Sequence, residues 1–240
     1  VLAGAGSANA QTGTWADRGY INIGFGVESG SSAVTDTENI VIYEEAGTIT
    51  SSDSFTSGNV LDAGFGLRIW RNLTVGVAYH QEENDSNGEL TGSIPSPIFF
   101  NRPRQLSQEV TSLVRKEMGT HLVIGWVLPF HEKLDVMVFG GPSFFRLQQD
   151  VVDEVEIGET SSPFTTVVAD PDVQTRKKSA SGYNVGFDAT YIVWSNDDVR
   201  FGAGGFVRFT KAKTNILMLT NERETEVGGV QVGFGGRIRF

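Results

Sequence analysis

Residues 60–80 read VLDAGFGLRIWRNLTVGVAYH. Leu61, Ala63, Phe65, Leu67 and Ile69 alternate with Asp62, Gly64, Gly66 and Arg68. After Arg71-Asn72 the alternation resumes, with Leu73, Val75, Val77 and Tyr79 against Thr74, Gly76, Ala78 and His80. Successive side chains on a strand point to opposite faces, so each half is a strand with one apolar and one polar face. Two such runs separated by two residues form an antiparallel hairpin.

The same period governs most of the chain. Residues 20–28 place Ile21, Ile23, Phe25 and Val27 opposite Asn22, Gly24, Gly26 and Glu28. A fourth segment puts Val110, Val114, Met118, Leu122, Ile124, Trp126 and Leu128 on one parity, with Glu109, Arg115, Glu117, Gly119, His121 and Gly125 on the other. Its first part, 105–117, also fits an amphipathic helix through Leu106, Val110, Leu113 and Val114; we read it as strand. Residues 134–148, 182–193, 199–210 and 227–240 complete the set, with a bulge expected at Gly140-Gly141-Pro142. Eight strands joined alternately by short turns (71–72, 129–133, 195–198) and long loops (29–59, 81–108, 150–181, 211–226) predict a closed, eight-stranded, antiparallel up-and-down β-barrel, all-β and spanning 20–240.

Which face looks outward follows from what each carries. The chain has 29 Gly in 240 residues, about 12% against a usual share of roughly 7%. Most strand glycines fall on the polar parity, as a narrow eight-stranded interior requires. The same parity holds charges that a dry apolar cavity could not keep unpaired. Trp70, Trp126 and Trp194, with Phe130 and Tyr191, fall where strands meet the short turns, the place of an interfacial aromatic girdle. The reading is therefore a transmembrane barrel with lipid outside and a polar lumen. The absence of Cys excludes disulfides and thiolate metal sites. No apolar run approaches the roughly 20 residues of a membrane helix. A net charge of −10 argues against nucleic acid, whose binders need a basic face.

Residues 1–10, VLAGAGSANA, resemble the tail of a secretory signal peptide with Ala8-Asn9-Ala10 as cleavage site. Residues 11–19 then form a short N-terminal segment. Together with the final alternation through Val230, Val232, Phe234, Ile238 and Phe240, this resembles the small OmpA/OmpX-like outer-membrane β-barrel family of Gram-negative bacteria. The resemblance implies an outer-membrane location with extracellular loops and periplasmic termini. It also implies that the last strand is the signal read by the barrel-assembly machinery, and that lipopolysaccharide surrounds the outer rim. With Phe240 last, no peptidoglycan-binding domain is expected.

The candidate site is the lumen charge network: Glu28, Asp62, His80, Glu117 and Arg208 toward the loops, Arg68, Asp135, Arg200, Arg237 and Arg239 toward the turns, with His121 and Asp188 on the same parity. Charges in a narrow barrel persist when paired, which makes a filled lumen the first reading and a structural or surface-interaction role the first function. A narrow porin-like channel for ions or small solutes is the alternative. A lipid A-modifying enzyme is the second alternative, disfavoured because His80 and His121 face inward, so no catalytic residue is assigned. No cofactor is expected, and no histidine pair has a metal-ligand spacing. The long loops carry acidic blocks (Asp36, Glu38, Glu44, Glu45, Asp53; Glu82, Glu83, Asp85, Glu89; Asp150 to Asp172) that could share divalent cations with lipopolysaccharide phosphates. Arg102, Arg104, Lys116, Arg176, Lys177, Lys178, Lys211 and Lys213 form an expected basic ring near the outer interface. Residues 93–100, SIPSPIFF, are an apolar, Pro-fixed segment of the second loop, placed as a cap on the barrel or an insertion at the lipid surface.

Overall fold

The computed structural model describes residues 15–30, 32–55 and 58–240, so the signal-like segment lies outside the described residues. These residues form eleven strands and no helix: β1 (Gly19–Ser29), β2 (Ser32–Ile42), β3 (Glu45–Phe55), β4 (Gly58–Trp70), β5 (Leu73–Ile94), β6 (Arg104–His131), β7 (Leu134–Glu159), β8 (Val167–Ser195), β9 (Arg200–Met218), β10 (Asn221–Val227) and β11 (Val230–Arg239). All pairings are antiparallel. β1 lies between β4 and β11, and the pairings continue from β4 through β5, β6, β7, β8 and β9 back to β11. Within this ring each of the eight strands pairs with a neighbour on both sides, so the ring of pairings leaves no free edge among them.

Three expectations are corrected. The first and fourth long connections are not loops: β2 and β3 form a hairpin that joins the sheet through β3–β5, and β10 pairs back on β9. The second and third loops are largely continuations of β5 with β6 and of β7 with β8, the latter paired as far as Glu159↔Val167. Their alternation is Ser-, Thr- and acid-rich and so escapes an apolar template, yet it satisfies the backbone in pairs. Second, Val110 does not share the outward face of Val114. Ser112 takes φ 63° and the β5–β6 register slips between Ser86 and Gly88, so one extra residue flips the parity and turns Val110 and Leu106 inward. Third, Gly140-Gly141-Pro142 is not a bulge. The β7–β8 register runs through it unshifted, and Pro142, with no N–H to give, only interrupts the ladder to β6.

The ring has two storeys. In the lower one, beside the short turns, the apolar side chains face out: Ile23, Phe25, Leu61, Phe65, Val77, Ile124, Phe187 and Val232 are exposed, and Phe234 is 74% exposed. Trp70, Trp126, Phe130, Tyr191 and Trp194 are also exposed, at its turn end. Trp70 packs edge-on to Trp126 at 6.4 Å and under Arg71 at 5.1 Å. In the upper storey the interior becomes apolar. Ile49, Phe55, Leu90, Ile94, Leu106 and Leu113 form one buried cluster, and Val34, Phe145, Leu147, Ile216 and Met218 form another.

Within the upper storey Asp53 is fully buried, and among the described residues neither carboxylate oxygen has a hydrogen-bond partner. It sits against Gly88, where any side chain would displace it. Burial pushes its carboxyl up to about 7. The folded state then holds this proton more tightly than the unfolded chain, whose Asp titrates near 4. The stability this group contributes is thus full below about pH 4 and is lost as the pH rises to about 7. Hydrogen exchange of the β3 amides, corrected for intrinsic rates, should show protection falling between about pH 4 and 7. Asp53→Asn should flatten that dependence, with a gain on the order of 2–4 kcal/mol at the alkaline end. An unchanged pH slope in the variant would remove Asp53 as the cause.

Candidate functional site

The lower storey encloses side chains that strand alternation turns inward, and they meet in layers. Nearest the short turns, Trp15 enters the ring: its backbone N–H donates to Asn72 Oδ1 (2.9 Å) and its indole N–H to Asp135 Oδ2 (3.2 Å). Arg200 pairs with Asp17 and, at 3.2 Å, with Asp135. Arg68 donates to the Trp15 carbonyl. One layer in, Asp188 accepts from Arg237 Nε (3.0 Å) and Nη2 (2.7 Å), with Arg239 at 3.5 Å. Arg239 also donates to Asn22 (2.8 Å) and Thr190 (2.6 Å) and lies over the Tyr20 ring. The Tyr20 ring occupies the space a side chain at Gly66 would need.

The third layer joins Arg208 to Asp62 (2.6 Å) and to Gln231 Oε1 (3.1 Å), with Phe206 and Phe139 against the guanidinium. Beside it runs a chain of four side chains from four adjacent strands. Asn184 Nδ2 donates to Ser143 Oγ (3.0 Å), Ser143 lies 2.8 Å from His121 Nδ1, and His121 Nε2 lies 2.7 Å from His80 Nδ1. A cavity of ≈ 20 Å³, lined by Tyr20, Asp62, Gly64, Asp188 and Arg208 among others, separates these layers. That is room for about one water.

The top layer is acidic. Carboxylate oxygens of Glu28, Glu82 and Glu117 lie within 4.8 Å of one another, all three buried. Glu117 accepts from Arg115, and Glu28 accepts from Gln231 Nε2 at 2.7 Å.

The residues of the sequence-predicted network point into the ring, in four layers. Asp62, grouped with Arg208 toward the loops, is neutralised by it. Glu82, expected in a loop, is a strand residue of the top layer, two positions beyond His80 and on its parity; extending the alternation by one pair would have found it. Ser143, Asn184 and Arg115 were legible by the same rule. Trp15 and Asp17 precede any periodic segment, and only the fold reveals them. The expected basic ring is largely spent on nearby acids: Arg104 is buried against Glu159 (2.5 Å), Lys116 meets Glu83 (2.7 Å), Lys213 meets Glu224 (2.5 Å), and Arg176 and Lys211 pair with Asp153 and Glu226. The Arg104 hydrogen bonds hold the Glu159 carboxyl below the usual range. Residues 93–100 lie at the far tip of the β5–β6 hairpin. Ile94 is buried in the upper cluster, while Ile98, Phe99 and Phe100 are exposed at the far tip, where the Asn101 N–H donates to Glu45 (3.0 Å).

Fold and interior together define a ring of antiparallel strands that is apolar outside and charged within. No protein-family model and no curated protein matches the chain. Among solved structures it is similar to the outer membrane protein OprG from Pseudomonas aeruginosa, at 12% identity and a TM-score of 0.44, over 95% of this chain and 98% of that one. It is also similar to Neisserial surface protein A (NspA), at 14% identity and a TM-score of 0.35, over 90% of this chain and 97% of that one.

Proposed function

We propose that the chain is an outer-membrane β-barrel protein of the Gram-negative type, a closed eight-stranded transmembrane barrel with a filled lumen. In this reading it is not an enzyme, and its role is to hold a tall β-structured storey in the extracellular medium as an interaction surface. The observation that carries this is the inversion in the lower storey: apolar side chains form the exposed belt, and ion-paired side chains fill the inside. Water would penalise that belt, whereas lipid accepts it, and a ring without edges satisfies every strand in lipid. The two interior histidines are buried away from the outer face, which supports the absence of lipid chemistry. The lipopolysaccharide and assembly-machinery partners belong to the same proposal.

The full chain refolded into detergent and reconstituted into planar bilayers should give current indistinguishable from the protein-free membrane. Stepwise single-channel currents that change when Arg208 is neutralised would replace the filled lumen by a narrow channel.

A further inference from the structure

The top layer of the lumen holds more carboxylates than guanidiniums. Three carboxylates from β1, β5 and β6 face a single guanidinium, Arg115, whose Nε and Nη2 both bond Glu117 Oε1 at 2.8 and 2.5 Å. Glu117 Oε2 accepts the backbone N–H of Gly228 at 3.0 Å, Glu28 Oε2 accepts the neutral amide of Gln231 at 2.7 Å, and Glu28 and Glu82 hydrogen-bond each other, which places a proton between them while no cation is bound. Fully ionised, the three carboxylates would exceed the guanidinium by two charges in a buried site, so the layer either holds a proton or takes a counter-charge.

A second, independent observation lies just below. His80 is fully buried, and its Nε2 has no partner among the described residues. Its direction follows from the rings: Nδ1 points at His121 Nε2, and the two rings are nearly coplanar, 12° apart with centroids at 4.9 Å. The Cε1 edge of His80 lies over Gly119, where a Cβ would collide with it. On the inward face of β6, Gly119 has His121 on one side and Glu117 on the other. With Nδ1 on the His121 side, Nε2 is on the side of Glu117. His80 itself pairs with Gly119, as Glu82 does with Glu117, so Nε2 aims into the carboxylate layer.

The protons along the relay follow from its far end. Asn184 Nδ2 also donates to the Gly141 carbonyl at 2.9 Å, which fixes the amide orientation. Ser143 Oγ therefore accepts from Asn184 and gives its proton to His121 Nδ1. With both rings neutral, His121 Nε2–H donates to His80 Nδ1, and His80 carries its proton on Nε2. A buried N–H donor thus points at a buried cluster of carboxyl groups and has no acceptor among the described residues.

We propose that Glu28, Glu82 and Glu117 bind one hard divalent metal cation through their oxygens, with a cation-bound water accepting the Nε2–H of His80. A single dication displaces the proton shared by Glu28 and Glu82 and balances the two carboxylates that Arg115 does not, and carboxylate and water oxygens are the ligands that Ca²⁺, Mg²⁺ and Mn²⁺ prefer. The site stands apart from the acidic strand extensions above it, and it binds irrespective of what the upper storey recognises.

The test uses the full chain refolded in detergent micelles, with histidine isotopically labelled and Mn²⁺ as a paramagnetic probe. One equivalent of Mn²⁺ should broaden the His80 and His121 imidazole signals, and excess Ca²⁺ should restore them. His131 should stay sharp, because ten strand residues separate it from His121, about 33 Å. Glu82→Gln, checked for folding by heat-dependent gel mobility, should weaken the effect by about 100-fold or more, since even indirect supports of a metal site are worth 10–100-fold. Histidine signals that all stay sharp at one equivalent, that broaden together, or that respond in Glu82→Gln as in the wild type would overturn the site. If the variant does not fold, the wild-type titration decides by itself.

Discussion

Asp188→Ala is expected to cost the folded barrel about 3–5 kcal/mol, the loss typical of breaking a buried ion pair from one side. The size follows from what the carboxylate holds: Arg237 through two hydrogen bonds of 3.0 and 2.7 Å, and Arg239 at 3.5 Å. Arg237 is 2% and Arg239 3% exposed, so both guanidiniums would be left in the lumen without their anion. Arg239 keeps Asn22 and Thr190, and Arg237 keeps only the Gly236 carbonyl at 3.2 Å. Urea unfolding in detergent, followed by heat-dependent gel mobility, should show a clear fall in midpoint. Replacing the triad together, Asp188→Leu with Arg237→Met and Arg239→Met, should recover much of the loss, because apolar residues of similar volume repay no desolvation cost. A single variant as stable as the wild type would mean that the layer is solvated, and the filled lumen would be lost with it.

Phe234→Arg tests the opposite face. Phe234 lies midway along the outward row from Val230 to Ile238, paired with Phe25 and Gly205. In a water-soluble ring an exposed Phe exchanged for Arg would be neutral or better. At the middle of a bilayer the same change costs about 2–4 kcal/mol. Folding into lipid vesicles should therefore be weakened by that amount, whereas Asp197→Arg, in the exposed turn between β8 and β9, introduces the same side chain outside the belt and should not reproduce it. Equal folding of wild type and Phe234→Arg into vesicles, or a wild-type chain monomeric in detergent-free buffer, would overturn the membrane reading.

The two variants differ in how far sequence could foresee them. Phe234, Val232 and Val230 declare their side through alternation alone, as do Asp188, Arg237 and Arg239. That Asp188 meets those two arginines was not legible, because the three lie on β8 and β11, which touch only through β9 and the curvature of the ring. The parity change at Ser112 was also hidden. A bulge costs one residue and leaves no compositional mark, and Ser is not the Gly that usually announces a positive φ. The β2–β3 hairpin was missed because its inward face mixes Val34 and Ile49 with Asp36, Ser51 and Asp53, which breaks an apolar template while keeping the period.

What the sequence by itself determined is local: the eight wall strands, the face each presents, and the aromatic rim at the short turns. Backbone geometry sends neighbouring side chains to opposite sides whatever the rest of the chain does. What only the tertiary structure decided is who meets whom across the ring: Trp15 beneath Asp135, the relay from Asn184 to His80, and the three glutamates at one level. Those meetings depend on register between strands far apart in the chain and on the ring's return upon itself, and no period of two encodes either.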